Sequence, residues 1–265
     1  MNYYRFEPGQ PVTRPALLIH GFASNPLELW EQTGWLKVLL QAGIPCLVLE
    51  LPHHGSADFK EGFAGRLGRV EPAGQLSLKG KFSYAAVTEA LAGLCQTLGQ
   101  QLHLVGYSLG SFIAHDFAGS YSQQLLSLTL AGMPTQDQLP QLREHFSCAG
   151  PSLPAKGSEL YPLFEQIIAS SLIKRQSLAR FINQLPEYSL AGKALPSCPT
   201  LLIRGSRDQI ATAPRSLAAD LAAAGRQYRQ VEVKGRDHVN ALTSAYFKKT
   251  VRDWILGWEQ ADCRK

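Results

Sequence analysis

Long apolar runs are missing from this sequence. Hydrophobic stretches are broken every few positions by Gly, Pro or a charge, so none approaches the roughly 18 residues a membrane-spanning helix needs, and no stable membrane anchoring is expected. Residues 1–8 lack the apolar core of roughly 7–15 residues that marks a secretory signal, which points to a cytoplasmic protein. Cysteine is sparse: Cys46, Cys95, Cys148, Cys198 and Cys263 form an odd, widely spaced set that matches neither a disulfide framework nor a zinc site. No histidine pair has the His-x-x-x-His spacing, and His53 and His54 are adjacent, so no metal is expected. Charge is thin as well. Charged residues make up 18%, against roughly 25% for an average soluble domain. The 26 Lys and Arg exceed the 21 Asp and Glu by only five, with no basic run, too little to mark a nucleic-acid-binding protein. What remains is 265 residues that are 45% hydrophobic, enough for one large domain or two modest ones and incompatible with a disordered chain.

Apolar, β-branched runs alternate with stretches of helical period, the pattern of a parallel sheet covered by helices on both faces. Residues 16–20, 44–49, 102–106, 126–130, 201–203 and 228–233 read as strands. Val87, Leu91, Leu94 and Leu98 recur at helical spacing, and Phe247, Val251, Trp254 and Trp258 repeat it near the carboxyl end. Further helices are predicted over 30–41, 109–120 and 214–224. Two segments break the alternation. Residues 62–80 are Gly-rich and basic and read as a long loop; Arg66, Arg69 and Lys79 there either guide an acidic substrate or acidic carrier protein or are simply solvated. Residues 135–197 hold helix-like pieces at 159–171 and 174–184 but no convincing strand, so they read as a helical insertion. No motif specifies an oligomeric state.

The chemistry centres on Gly106-Tyr107-Ser108-Leu109-Gly110, which joins an apolar strand to a helix. A serine hydroxyl is a weak nucleophile and must be exposed, oriented and given a base. A sharp strand-to-helix turn does the first two, with glycines where side chains would collide. The base and acid are expected downstream in the order acid, then histidine. Asp208 follows the strand at 201–203, and His238 follows the strand at 228–233, so all three fall at the carboxyl edge of the sheet, where α/β sites form. His238 would take the Ser108 proton, and Asp208 would fix the imidazole tautomer. Asp237 and Asp137 are the alternative acids. An oxyanion hole is expected from the backbone N–H groups of Leu109, just after the nucleophile, and Phe22, after the first strong strand, where Gly21 permits close backbone approach.

These motifs, taken in order as His20-Gly21-Phe22, Leu51-Pro52-His53-His54-Gly55, Gly-Tyr-Ser-Leu-Gly, Gly205-Ser206-Arg207-Asp208 and Asp237-His238, resemble the α/β-hydrolase superfamily over nearly the whole chain. Within it the sequence is similar to compact carboxylesterases such as the pimeloyl-carrier methyl ester esterase, and to a menaquinone-pathway lyase that uses the same triad. The resemblance implies an α/β fold with a mainly parallel sheet of seven or eight strands, a core formed by 1–134 and 198–265, a helical cap at 135–197, and no cofactor. It implies a serine hydrolase cleaving small-molecule carboxylic esters of short to medium chain. The alternatives are a lyase of the menaquinone-pathway type and a non-catalytic ligand-binding homologue. The sequence departs from the usual Asp-x-Pro-Gly-His-Gly-x-Ser with Glu50-Leu51-Pro52-His53-His54-Gly55-Ser56-Ala57, and Ser111 follows Gly110 where many relatives have Gly.

Other residues have plainer readings. His20 is expected to brace the oxyanion loop, while His53, His54, His103, His115 and His145 read as satisfied surface or core side chains. Phe22, Tyr107, Phe112, Phe146, Tyr161 and Phe164 are candidates to line an acyl pocket, and at least half of them read as ordinary core.

Overall fold

The computed structural model describes residues 1–26, 28–55, 73–134, 136–147, 161–171, 173–211 and 214–264. Eight strands form one sheet: β1 (Asn2–Phe6), β2 (Ala16–Ile19), β3 (Cys46–Leu49), β4 (Gly74–Gln75), β5 (Leu102–Tyr107), β6 (Leu125–Ala131), β7 (Thr200–Gly205) and β8 (Tyr228–Val233). Their spatial order is β4-β1-β3-β2-β5-β6-β7-β8. From β3 onward every pairing is parallel, whereas β1 pairs antiparallel with both β3 and β4. The six strands read from sequence are all present. The two additions form the antiparallel edge: β1 is short and half-exposed, and β4 is two residues long, so neither has the apolar signature of a buried strand.

Alternation along the strands sends side chains to two cores. Leu17, Ile19, Leu47, Leu49 and Leu104 face one, where they meet Val87, Leu91 and Leu94 of α2 (Tyr84–Leu98) and Ile113 and Phe117 of α3 (Leu109–Tyr121). Leu18, Val48 and Val105 face the other, against Trp35 and Leu39 of α1 (Trp35–Gln41) and Phe247, Val251 and Ile255 of α8 (Ala245–Asp262). Burying a large apolar side chain is worth roughly 1.5–3 kcal/mol, so strands covered on both faces dominate the core. The helix expected at 30–41 is in fact broken. A π-helical turn, Glu28–Gln32, precedes Gly34, whose φ of 79° ends it before α1 begins. Helix-period apolar residues continue through this break, which is why periodicity alone does not reveal it.

Between β6 and β7 the described residues carry three helices and no strand: α4 (Leu139–Ser147), α5 (Tyr161–Ala169) and α6 (Arg175–Gln184). They pack over the carboxyl edge of the sheet through Leu142, Phe164 and Phe181. α4 was not read from sequence, and the start of the piece expected at 159–171 lies outside the described residues, as does most of the predicted loop 62–80, including Arg66 and Arg69. α7 (Pro214–Ala223) completes the set. Among the described residues no helix is long and apolar enough to cross a membrane.

Candidate active site

β5 runs directly into α3, and Ser108 is the residue between them. Its backbone sits at φ 53°, ψ −119°, a conformation costing a non-glycine residue about 1–3 kcal/mol, which the surrounding packing sustains. Neither flanking glycine has room for a side chain. A Cβ on Gly106 would lie 2.3 Å from the Gly110 carbonyl oxygen, and one on Gly110 would lie 2.3 Å from that of Ile19. The turn is thus backbone packed on backbone. Buried Ser111 holds it by donating its hydroxyl to Gly106 O at 2.8 Å and Ala131 O at 3.0 Å, an interaction that a glycine there could not make.

The loops after β7 and β8 dock against each other. Ser206 N–H donates to Val233 O at 3.0 Å, Arg207 N–H to Arg236 O at 2.9 Å and Gly235 N–H to Ser206 Oγ at 2.9 Å. This docking brings Asp208 and His238 into contact. His238 Nδ1 donates to Asp208 Oδ2 at 2.9 Å, and the Ser108 hydroxyl donates to His238 Nε2 at 2.9 Å. Asp208 and His238 are 2% and 4% exposed, so little water competes for these bonds. The other Asp208 oxygen accepts the N–H groups of Ile210 at 3.0 Å and Ala211 at 2.9 Å, which fixes the carboxylate plane. Tyr107, which precedes Ser108, donates its hydroxyl to the carbonyl of His238.

The alternative acids are engaged elsewhere. Asp237 caps the turn that follows it, accepting from Val239 N at 3.0 Å and Asn240 N at 2.8 Å. Asp137 accepts from Leu139 N at 2.9 Å and Tyr188 N at 2.5 Å, tying the start of α4 to the segment after α6. Burial raises the Asp137 carboxyl above its usual range.

Gly21 lies beside the nucleophile: a Cβ there would be 3.3 Å from Ser108 Cβ. His20 Nδ1–H donates to Gly21 O at 2.8 Å while its Nε2 accepts Leu51 N–H at 3.1 Å. Because a trans peptide is planar, holding the Gly21 carbonyl sets the opposite direction for the Phe22 N–H. Leu109 is the first residue of α3, where backbone N–H groups have no intrahelical partner and the helix end carries positive potential. Neither amide has an acceptor among the described residues. A second histidine, His54, accepts Ala23 N–H at 3.3 Å through Nε2. Its part in the oxyanion loop was not read from sequence, although its place just after β3 puts it at the same sheet edge.

Ser108 and His238 open into a cavity of about 260 Å³ beneath α4 and α5. Of the aromatic candidates, Phe22, Tyr107, Phe112 and Phe164 line it; Phe146 does not, and the Tyr161 side chain is outside the described residues. No Lys or Arg among the described residues lines the cavity. Among the described residues no group of three or more His, Cys, Asp or Glu is placed to hold a metal ion.

A mostly parallel sheet that presents serine, aspartate and histidine from separate loops at its carboxyl edge, here those after β5, β7 and β8, defines the α/β-hydrolase architecture. The chain belongs to the alpha/beta hydrolase family, whose sequence model matches residues 16–248. Comparison with curated protein sequences finds no match. Among solved structures it is similar to a thermophilic esterase from Thermogutta terrifontis with malate bound, at 20% identity over 97% of this chain and 94% of that one, with a TM-score of 0.64. It is also similar to MenH from S. aureus (16% identity, 98% of each chain, TM-score 0.64). A putative non-heme bromoperoxidase, BpoC from Mycobacterium tuberculosis H37Rv, matches at 16% identity over 96% of this chain and 94% of that one, with a TM-score of 0.64. At these identities the likeness establishes the fold.

Proposed function

We propose that this protein is a serine hydrolase that cleaves neutral carboxylic esters of short to medium chain through an acyl-enzyme. The observation that carries the reading is the hydrogen-bonded chain from Ser108 through His238 to Asp208 at the floor of an apolar cavity. As Ser108 Oγ bonds to the ester carbonyl carbon, its proton passes to His238 Nε2, and the Phe22 and Leu109 N–H groups receive the oxyanion. Collapse breaks the bond to the alkoxy group, which leaves with the His238 proton as the alcohol. His238 then takes a proton from water, whose oxygen attacks the acyl carbon, and release of the acid returns the proton to Ser108. Throughout, Asp208 stabilises the imidazolium and holds its Nδ1–H tautomer.

The cavity supports the substrate class. At roughly 30 Å³ per water-sized group, its 260 Å³ holds about eight non-hydrogen atoms of substrate, acyl and alcohol parts together, which suits short to medium chains. The described lining residues include no Lys or Arg, so among them nothing would compensate the lost hydration of a charged acyl group. We read residues 135–197 as a cap inserted into a core of 1–134 and 198–265, since α4 and α5 supply Leu139, Leu142, Phe164 and Ile167 to the cavity roof. A cytoplasmic location is proposed on the four described cysteines, all free thiols.

The test is turnover of p-nitrophenyl esters of increasing chain length, with fluorophosphonate labelling of Ser108. Activity is expected to peak near about four to eight acyl carbons, and Ser108→Ala to lose about 10⁴ or more in kcat. Near-normal turnover by Ser108→Ala removes the proposal. An elimination on the same triad forms no acyl-enzyme, so mass-spectrometric trapping of acyl-Ser108 separates the two chemistries.

A further inference from the structure

His54 is fully buried and touches three parts of the molecule. Its Nδ1 lies 2.8 Å from Pro52 O, a pure acceptor, so Nδ1 carries the proton and the Nε2 lone pair is free for Ala23 N–H at 3.3 Å. Burial holds this imidazole neutral, with its pKa pushed down to about 4. The ring packs T-shaped on Phe181 of α6, with centroids 4.4 Å apart and planes at 87°. Beside it, Gln184 at the end of α6 pairs with His53 Nε2 at 3.2 Å, so α6 is seated on residues 53–54 through both contacts.

Ala23 itself has φ 56°, a left-handed conformation unusual for alanine that needs holding in place. Two consecutive peptide planes are therefore pinned around the Phe22 amide. His20 holds the Gly21–Phe22 unit by its carbonyl, and His54 holds the Phe22–Ala23 unit by its N–H. Without the His54 bond the Phe22 amide keeps only one of its two hydrogen-bonded planes, with the Phe22 ring still packed on Phe146 and Phe181, so the direction of its N–H is set less narrowly.

We propose that His54 is a positioning residue of the oxyanion hole, one that makes the aim of the Phe22 N–H depend on the seating of α6 against its ring. The proposal rests on the serine-hydrolase reading above. His54→Leu keeps the packing against Phe181 but removes the acceptor. His54→Gln keeps an acceptor near the Nε2 position.

The experiment measures kcat, KM and thermal unfolding on one p-nitrophenyl ester, together with the affinity for a trifluoromethyl ketone, which bonds to Ser108 and places an oxyanion in the hole. Misplacing a reacting group by about 1 Å costs about 10²-fold. His54→Leu is expected to lose about that in kcat with KM within about threefold, and ketone affinity should fall in step with kcat/KM. His54→Gln should recover to within about tenfold of the parent. Phe181→Leu, which keeps apolar volume but removes the ring, should lose kcat in the same direction and serves if His54→Leu does not fold. Equal losses in His54→Leu and His54→Gln, or unchanged ketone affinity in His54→Leu and Phe181→Leu, overturn the proposal. Loss of activity in Ser108→Ala with none in His54→Leu overturns this proposal alone, whereas full activity in Ser108→Ala overturns it together with the hydrolase reading.

Discussion

Mild acid should weaken this fold through its buried histidines. His54 and His115 are both essentially enclosed, and burial pushes each from 6.5 down to about 4. In the folded state they stay neutral at pH 5, while in the unfolded chain each takes up a proton once the pH drops below about 6.5. The unfolded state therefore binds more protons between these values, and stability falls as the pH is lowered through that window, levelling off below about 4. At pH 5 each group contributes about 2 kcal/mol of destabilisation relative to pH 7, or about 4 kcal/mol for the pair. Burial lowers His20, His103 and His145 in the same direction, while Asp137, raised by burial, works in the opposite one. A loss of about 4 kcal/mol is a large share of the 5–15 kcal/mol typical of a domain. Urea titrations at pH 7 and pH 5 measure it directly. His115→Asn retains an acceptor for the Tyr188 hydroxyl, which lies 2.8 Å from His115 Nδ1, and should reduce the pH-dependent loss by about 2 kcal/mol. Equal unfolding free energies at the two pH values, or no change in that difference with His115→Asn, would refute the reasoning.

Three further outcomes follow from the site geometry. Asp208→Asn should preserve the fold and lower kcat by about 10⁴, because the amide favours the wrong imidazole tautomer, whereas Asp237→Asn should leave kcat within about threefold; steady-state ester hydrolysis distinguishes them. Ser108→Gly should abolish turnover while raising stability by about 1 kcal/mol in urea unfolding, since glycine relieves the φ of 53° at some entropic cost. Gly110→Ala should destabilise the protein by about 3 kcal/mol and inactivate it, because the new Cβ would lie 2.3 Å and 2.7 Å from the fixed carbonyls of Ile19 and His20; wild-type thermal stability in that variant would contradict the packing described.

The parts of the molecule readable from sequence are those governed by local rules. Of the six strands, most announce themselves because a strand buried on both faces must be apolar at nearly every position, as β2, β3 and β5 are, while β8 shows the alternation of a half-buried strand, with Val231 and Val233 inward. Glycine spacing around Ser108 and the order of Asp208 and His238 after it point to three side chains that meet in the structure, because each stands just after a strand that ends at one edge. β1 and β4 are not legible in this way: β4 is a two-residue edge strand, and β1 beside it is half-exposed and fixed by its pairing with β3 and β4, so Asn2–Phe6 carries no periodic pattern. The choice among Asp137, Asp208 and Asp237 is also invisible locally. It depends on how the loops after β7 and β8 dock, a contact between residues about thirty apart.

His54 escapes notice for a related reason. A histidine in a Pro-His-His-Gly loop reads as a turn residue, and its role appears only when Ala23, Pro52 and Phe181 converge on one ring. The elbow and the acid–base loops are held by backbone contacts with no room for a Cβ at Gly106, Gly110 or Gly205. The cavity roof is held by side chains of α4 and α5, which can change size without disturbing a carbonyl. Chemistry and specificity are thus built from different kinds of contact. Substitutions in the roof can reshape the cavity while the Ser108–His238–Asp208 geometry stays fixed. His54 joins these two regimes, because its Nε2 accepts from Ala23 in the loop after β2 and its ring packs on Phe181 of α6.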